Sequence, residues 1–309
     1  MSSHGPGGSR ARWADELMDL VHWQLGFGSR CPGSESHERF RRALEARLSL
    51  LLDRLWAQSF SLQIRGRPVE CCNYIGRLAG RGGGGSARAD ASDAAGHASV
   101  AGEAPLLLGT HFDTRLRADR ESDQRLRERP IPGANDGGSG TAVLLHLLER
   151  LSGMPLRRDV LFAFFDAEDV GDIDGHPFGV GARVFAAEPV PRIPEEVLIL
   201  DMVGGKDLNL NIDRHVEHYP SSRRLTEELW HVACERGVEA FTRDKPQKHK
   251  YIICDHTPFL ERGIPCCVLI DIDYPEWHTQ RDLPDAMSGS SLAAVEQVVA
   301  AWIHRRCGT

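Results

Sequence analysis

Apolar and polar residues recur along this chain with two different periods, and the period switches at definite places. Over residues 13–25 the apolar positions Trp13, Leu17, Leu20 and Val21 follow helical spacing, the mark of one buried helix face. Residues 26–33 read as a loop. Ser34-Glu-Ser-His-Glu38 opens a second amphipathic helix, capped at Ser34 or Ser36 and predicted to run to about Trp56. Residues 59–64 and 72–78 read as strands of a hairpin or meander. From Leu106 the pattern alternates between short apolar runs and helical stretches. Strands are predicted at 106–109, 160–165, 197–202, 208–212 and 266–272. Helices are predicted at 139–151, 179–187, 222–236 (capped by Ser221 or Ser222 and ended by Gly237), 256–262 and 290–305. Such alternation predicts an α/β fold with three αβα layers: a mixed, mostly parallel twisted sheet flanked by helices.

One stretch breaks the pattern. Residues 80–102 are rich in Gly, Ala and Ser and contain four consecutive glycines, Gly82 to Gly85. So little apolar surface predicts a mobile surface insertion. The strand before it needs the sheet after it, so the insertion is expected to interrupt one catalytic domain spanning 1–309.

Composition narrows the function classes. At 309 residues, 41% hydrophobic and 26% charged, the chain is that of an ordinary globular protein with a sizeable core. A net charge of -7 argues against nucleic acid, which wants a basic face. The Arg-rich residues 115–129 are interleaved with Asp and Glu and read as a solvated loop. No apolar run is long enough to span a bilayer. No secretory h-region is visible near Met1, so a cytoplasmic location and no membrane partner are expected. The eight cysteines lack zinc-knuckle spacing and read as small buried apolar residues.

The chemistry lies where apolar strands end. Glu168 and Asp169 follow a buried-looking run, and two adjacent carboxylates there are costly without a task. His111 and Asp113 follow Leu106-Leu-Leu108, Asp136 lies in Pro132-Gly-Ala-Asn-Asp-Gly-Gly138, Asp201 follows Val197-Leu-Ile-Leu200, and His278 follows Tyr274-Pro-Glu-Trp277. An open α/β sheet places its ligand crevice at such strand ends. Taken singly, a strand-end Asp is a cap or turn residue and a His is a surface or core residue. Taken jointly, Asp136, Asp169 and His278 supply three ligands to zinc, which favours imidazole and carboxylate. His111 and Asp201, with Asp136 bridging, would hold a second metal. Asp113 is placed to fix the His111 tautomer, and Glu168 to act as general base and acid.

These residues resemble the zinc aminopeptidase superfamily and, within it, the glutaminyl cyclases of the animal type and their bacterial relatives. The resemblance spans nearly the whole chain. It is carried by Gly26-Phe-Gly-Ser-Arg-Cys-Pro-Gly-Ser34, His111-Phe-Asp-Thr114, Pro130 to Gly140, Phe164-Phe-Asp-Ala-Glu-Asp169, Asp255-His-Thr-Pro-Phe259 and Tyr274-Pro-Glu-Trp-His-Thr279. It implies one zinc on Asp136, Asp169 and His278, with Glu168 as acid/base and Asp201 in a hydrogen-bond network beside the metal. Trp277 would line the substrate pocket, and Tyr274 would help to enclose the substrate. The implied reaction converts the N-terminal glutamine of peptides or proteins to pyroglutamate with release of ammonia.

Two departures from the family pattern stand out. Cys254 occupies the position of a usual second aspartate, leaving Asp255 as the acid that could serve in its stead. A tryptophan usual after the paired acids is absent, and His176 or Phe178 is left to line the pocket. Two other readings stand beside the cyclase: a two-zinc aminopeptidase, for which every side chain is present, and a non-enzymatic binding module that kept the fold.

Overall fold

The computed structural model describes residues 6–80, 104–241 and 249–308. The glycine-rich insertion expected at about 80–102 lies, apart from Gly80, outside the described residues.

Two helices open the chain, α1 (Pro6–Leu25) and α2 (Glu35–Leu51). The Ser34 hydroxyl accepts the His37 N–H and caps α2. The hairpin of β1 (Arg54–Ile64) and β2 (Arg67–Leu78) follows. Thereafter come β3 (Leu106–His111), α3 (Gly138–Leu151), β4 (Val160–Phe165), α4 (Val180–Ala187) and β5 (Glu196–Asp201). A two-residue β6 (Ile212–Asp213) precedes α5 (Pro220–Glu235), β7 (His249–Lys250), α6 (Thr257–Glu261), β8 (Cys266–Ile270) and α7 (Gly289–Cys307).

Six strands form one sheet in the order β1-β2-β4-β3-β5-β8, while β6 and β7 pair separately. The β1–β2 and β2–β4 pairings are antiparallel, and β4–β3, β3–β5 and β5–β8 are parallel. This is the expected mixed sheet. In register, Leu108 of β3 faces Phe162 of β4 on one side and Leu198 of β5 on the other.

The period of two along each strand divides the core into two layers. Leu106, Leu108, Phe162, Phe164, Leu198 and Leu200 pack with residues of α1, α2, α3, α5 and α7. Leu107, Leu161, Phe165, Val197 and Ile199 pack on the other face with Phe185 of α4 and Phe259 of α6. Every residue of β3 and β4 is buried, as strands covered on both faces must be.

Three local expectations are corrected. Helix α2 stops at Leu51, and Trp56 belongs to β1, where it pairs with Ile75. Leu208 to Asn211 form no strand: Asn211 makes a single bridge to Ile270, and Ile212 pairs with His249. The N-cap of α5 is Tyr219, while the buried Ser222 hydroxyl accepts the Cys266 N–H and so ties α5 to β8.

Candidate metal centre

The strand order sets the crevice. From β3 the chain crosses through α3 to β4 on one side, then through α4 on the other face to β5 on the opposite side of β3. The carboxyl end of β3 is therefore the switch point, where crossover loops diverge and leave room for a ligand. His111 is the last residue of β3, Glu168 and Asp169 follow β4, and Asp201 ends β5. Asp136 lies in the loop before α3, and His278 lies beyond β8.

Ligand-type atoms gather in two groups that can hold a cation: Asp136, Asp169 and His278, and His111, Asp136 and Asp201. His278 Nε2 lies 3.2 Å from Asp169 Oδ1 and 3.6 Å from Asp136 Oδ2. His111 Nε2 lies 3.2 Å from Asp201 Oδ1 and 3.3 Å from Asp136 Oδ1. Asp136 thus turns one oxygen toward each group. All five side chains are buried, and Asp136 Oδ2 and Asp169 Oδ2 have no hydrogen-bond donor. Buried carboxylate oxygens without donors are costly, and a divalent cation is the partner that suits these nitrogen and oxygen ligands.

Other groups hold the ligands in place. Asp113 accepts the backbone N–H of Glu168 at 3.0 Å and of Asp169 at 3.1 Å. It therefore anchors the loop after β4 in addition to lying 3.5 Å from His111 Nδ1. Asp113 is thus the nearest carboxylate to that nitrogen as well as the anchor of the loop. Asp282 accepts the N–H groups of Asn135 and Asp136. Gly137, with φ +75°, brings the chain so close that a Cβ would stand 2.4 Å from the Asp113 carbonyl. Ala167, Met202 and His278 also have positive φ. Non-glycine residues seldom adopt that conformation unless their surroundings impose it.

Arg115 and Asp119 were not legible as site residues. Arg115 is buried, and its Nη1 donates to the Asp169 carbonyl and to Asp169 Oδ1, at 3.0 and 3.3 Å. Its Nη2 donates to Asp119 at 2.6 Å, and Asp119 Oδ1 stands 3.2 Å from His278 Nδ1. The expectation of a solvated loop over 115–129 fails at this end. Alternating charge along a sequence looks the same whether the ions face water or a buried site.

The cations and anions shift one another. Burial works against the His278 imidazolium, but Asp169 and Asp119 outweigh it and push its pKa up to about 9. Burial raises the Glu168 carboxyl well above the ordinary range, with Asp255, Asp169 and Asp201 adding to the rise and His111 opposing it. Burial likewise raises Asp255, whose two oxygens have no hydrogen-bond partner.

A cavity of about 460 Å³ opens on this cluster. Its walls include Glu168, Asp201, Phe178, Cys254, Ile270 and Trp277, and Asp136, Asp169 and His278 lie on it. Trp277, expected to line a substrate pocket, is on the wall of this cavity. Of the two residues proposed to replace the absent tryptophan, Phe178 lines the cavity, whereas His176 turns its Nε2 to the Gln63 carbonyl. Tyr274 is not part of this cavity. It lines a separate surface hollow, and its hydroxyl donates to Asp282. The adjacent Pro275 and the turn at 274–277 send Tyr274 and Trp277 to different cavities.

The sequence model of peptidase family M28 matches residues 94–303. Aminopeptidase YwaD of Bacillus subtilis is 27% identical over 186 residues, which are 56% of this chain and 37% of that protein. A glutaminyl-peptide cyclotransferase of Drosophila melanogaster is 25% identical over 201 residues, 57% of this chain and 54% of that one. The chain spans about half or less of the length of these two curated relatives. Among solved structures, a glutaminyl cyclase of Tannerella forsythia superposes with a TM-score of 0.77 at 26% identity, covering 93% of this chain and 96% of that one. With a matched region that covers more than half of the chain and contains His111, Asp136, Glu168, Asp169, Asp201 and His278, the chain belongs to peptidase family M28.

Proposed function

We propose that this protein is a zinc-dependent glutaminyl-peptide cyclotransferase, which closes the N-terminal glutamine of peptides or proteins to pyroglutamate. The observation that carries this reading is the buried Glu168 carboxyl facing a small cavity walled by Trp277 and Phe178, directly beside the Asp136, Asp169 and His278 cluster. The likeness to a glutaminyl cyclase over nearly the full length of both chains supports it. A zinc ion held by Asp136, Asp169 and His278 would supply Lewis acidity toward the side-chain amide carbonyl.

The chain's own groups do the rest. Glu168 takes a proton from the substrate α-amine as that nitrogen bonds to the side-chain amide carbon. It passes the proton to the departing amide nitrogen, which leaves as ammonia. Burial and the neighbouring carboxylates raise its carboxyl above the ordinary range, which makes the ionised form a stronger base. Trp277, Phe178 and Ile270 confine the side chain and shut out water, so that the bound amine is the nearest nucleophile. Asp255, buried and raising the Glu168 carboxyl through its charge, would take part in the same proton network.

Glu168→Gln keeps size and removes the base. Turnover should fall at least ~100-fold with zinc retained, read as ammonia release from a glutaminyl dipeptide alongside metal analysis. Unchanged turnover would dismiss Glu168 from the chemistry.

One observation favours a second reading. Asp136 faces both ligand groups, which is the arrangement a two-zinc aminopeptidase requires. A cyclase has one zinc equivalent and releases ammonia from glutaminyl peptides. An aminopeptidase has two and cleaves leucyl arylamide without ammonia release.

A further inference from the structure

Beside the carboxylates, the same cavity carries a set of groups that the proposed reaction does not use. The buried Cys254 Sγ lies 3.1 Å from His256 Nδ1, and His256 Nε2 lies 2.8 Å from Asp213 Oδ2. All three residues are buried. Asp213 is itself fixed, since its other oxygen accepts the N–H groups of His215 and Ile252. Burial opposes its charge, but His256 and His215 outweigh burial and hold its carboxyl below the usual range. An ionised carboxylate only accepts, so Nε2 is the nitrogen that carries a hydrogen toward Asp213, and in the neutral imidazole Nδ1 is then the acceptor that faces the thiol. A nucleophile bonded to a base, and that base oriented by a carboxylate, is the arrangement that activates sulfur or oxygen nucleophiles. Cys254 belongs to the same core layer as Cys266, but it also lines the cavity, which Cys71, Cys266 and Cys267 do not.

The charge of the cavity selects what can reach the thiol. Asp136 and Asp169 would be neutralised by a bound zinc, but Asp172 and Asp201 also line it, and Arg183 is already paired with Glu261 at 2.8 Å. Such a lining concentrates small cations and repels anions.

We propose that Cys254 is a covalent modification site for small cationic disulfides, and that a mixed disulfide there blocks the substrate cavity. In the step, His256 Nδ1 takes the Cys254 proton while Sγ attacks one sulfur of the reagent. A Cys254–reagent S–S bond forms, the reagent's own S–S bond breaks, and the released thiolate takes the proton from His256. No other oxidant is needed. Burial and the nearby carboxylates keep the resting thiol protonated, so the reaction depends on His256 as base. The small cavity restricts it to slim reagents.

The test uses the zinc-loaded full chain carrying Cys234→Ser, which removes the exposed thiol. It is treated with cystamine or with the anionic disulfide of mercaptopropionate, and the modified peptide is located by mass. Cystamine should label Cys254 at least ~10 times faster than the anion. Dithiothreitol should reverse the labelling, and ammonia release should fall and return in step. His256→Gln should slow labelling at least ~10-fold, and Asp213→Asn should act in the same direction. If neither variant folds, the comparison of the two reagents on the parent chain decides. A Cys254 that is labelled only after denaturation, or as fast by the anion, or as fast without His256, overturns the proposal. Labelling that proceeds in a chain with no ammonia release from any glutaminyl peptide would instead remove the cyclase reading and leave the thiol site standing.

Discussion

At the scale of single residues, the site depends on side chains that touch the ligands from behind. Asp119 is the clearest. Burial opposes its charge, but His278 and Arg115 outweigh this and hold its carboxyl well below the usual range. It accepts from His278 Nδ1, which leaves Nε2 to face Asp136 and Asp169. The same Arg115 that pairs with Asp119 also bonds Asp169, so one ion pair steadies two candidate ligands. The Arg120 N–H donates to the His278 carbonyl and helps to hold its left-handed backbone. Outer groups of this kind set ligand orientation and basicity. Asp119→Ala is therefore expected to weaken zinc binding about 10–100-fold, measured by competition with a chromophoric chelator. Asp119→Asn, which keeps an acceptor, should lose less. Equal affinity in all three chains would show that His278 is oriented by its backbone alone.

At the scale of elements, strands and helices were legible where one period ran without competition. Val160 to Phe165 and the helix from Gly138 read cleanly because both are buried through most of their length. The end of α2 did not, because Leu52, Leu55 and Trp56 suit helical spacing as well as a strand. Pairing with β2, from Arg54 opposite Arg77 onward, decides for the strand. The helices also meet through a buried polar link invisible in any local window. His146 of α3 lies 2.8 Å from Glu296 of α7 and 3.3 Å from Glu16 of α1, and Arg150 of α3 also bonds Glu296. Burial alone would lower the His146 pKa, but Glu296 and then Glu16 raise it above its ordinary value. A histidine whose pKa rises on folding contributes stability that is fully present below its unfolded pKa of about 6.5. That contribution fades as pH climbs through the raised value. The gap in thermal stability between the parent and His146→Gln should thus be widest below about pH 6.5 and shrink in alkaline buffer. A pH-independent gap would mean that His146 acts by packing alone.

At the scale of the whole molecule, the sheet order gathers carboxylates that would otherwise repel one another. Asp136, Glu168, Asp169, Asp201 and Asp255 are buried together, with His111 and His278 among them. A cation bound by the folded chain and not by the unfolded one adds stability by mass action, about 2.7 kcal/mol at a hundredfold excess over its dissociation constant. Stripping zinc with a chelator should lower the melting temperature, and zinc should restore it in calorimetry. Identical melts with and without the ion would show that the two ligand groups do not bind it in the native state. Among the described residues no helix is long and apolar enough to cross a membrane.

The chain by itself determined the αβα layering, and it marked the candidate ligands and the places where they surface. Those properties are written in local periods and in the solvation cost of charge at the end of an apolar run. It also marked Glu168, Asp169 and Trp277, because each sits in a distinctive short segment. Only the tertiary structure decided that Tyr274 belongs to another cavity, and that Arg115 and Asp119 stand behind Asp169 and His278. It likewise brought Asp213 to His256 and Cys254 across some 40 positions of sequence. The physical reason is the same in each case. These outcomes depend on which backbone stretches the sheet order makes neighbours, and on side-chain direction after a turn, neither of which leaves a periodic trace in the sequence.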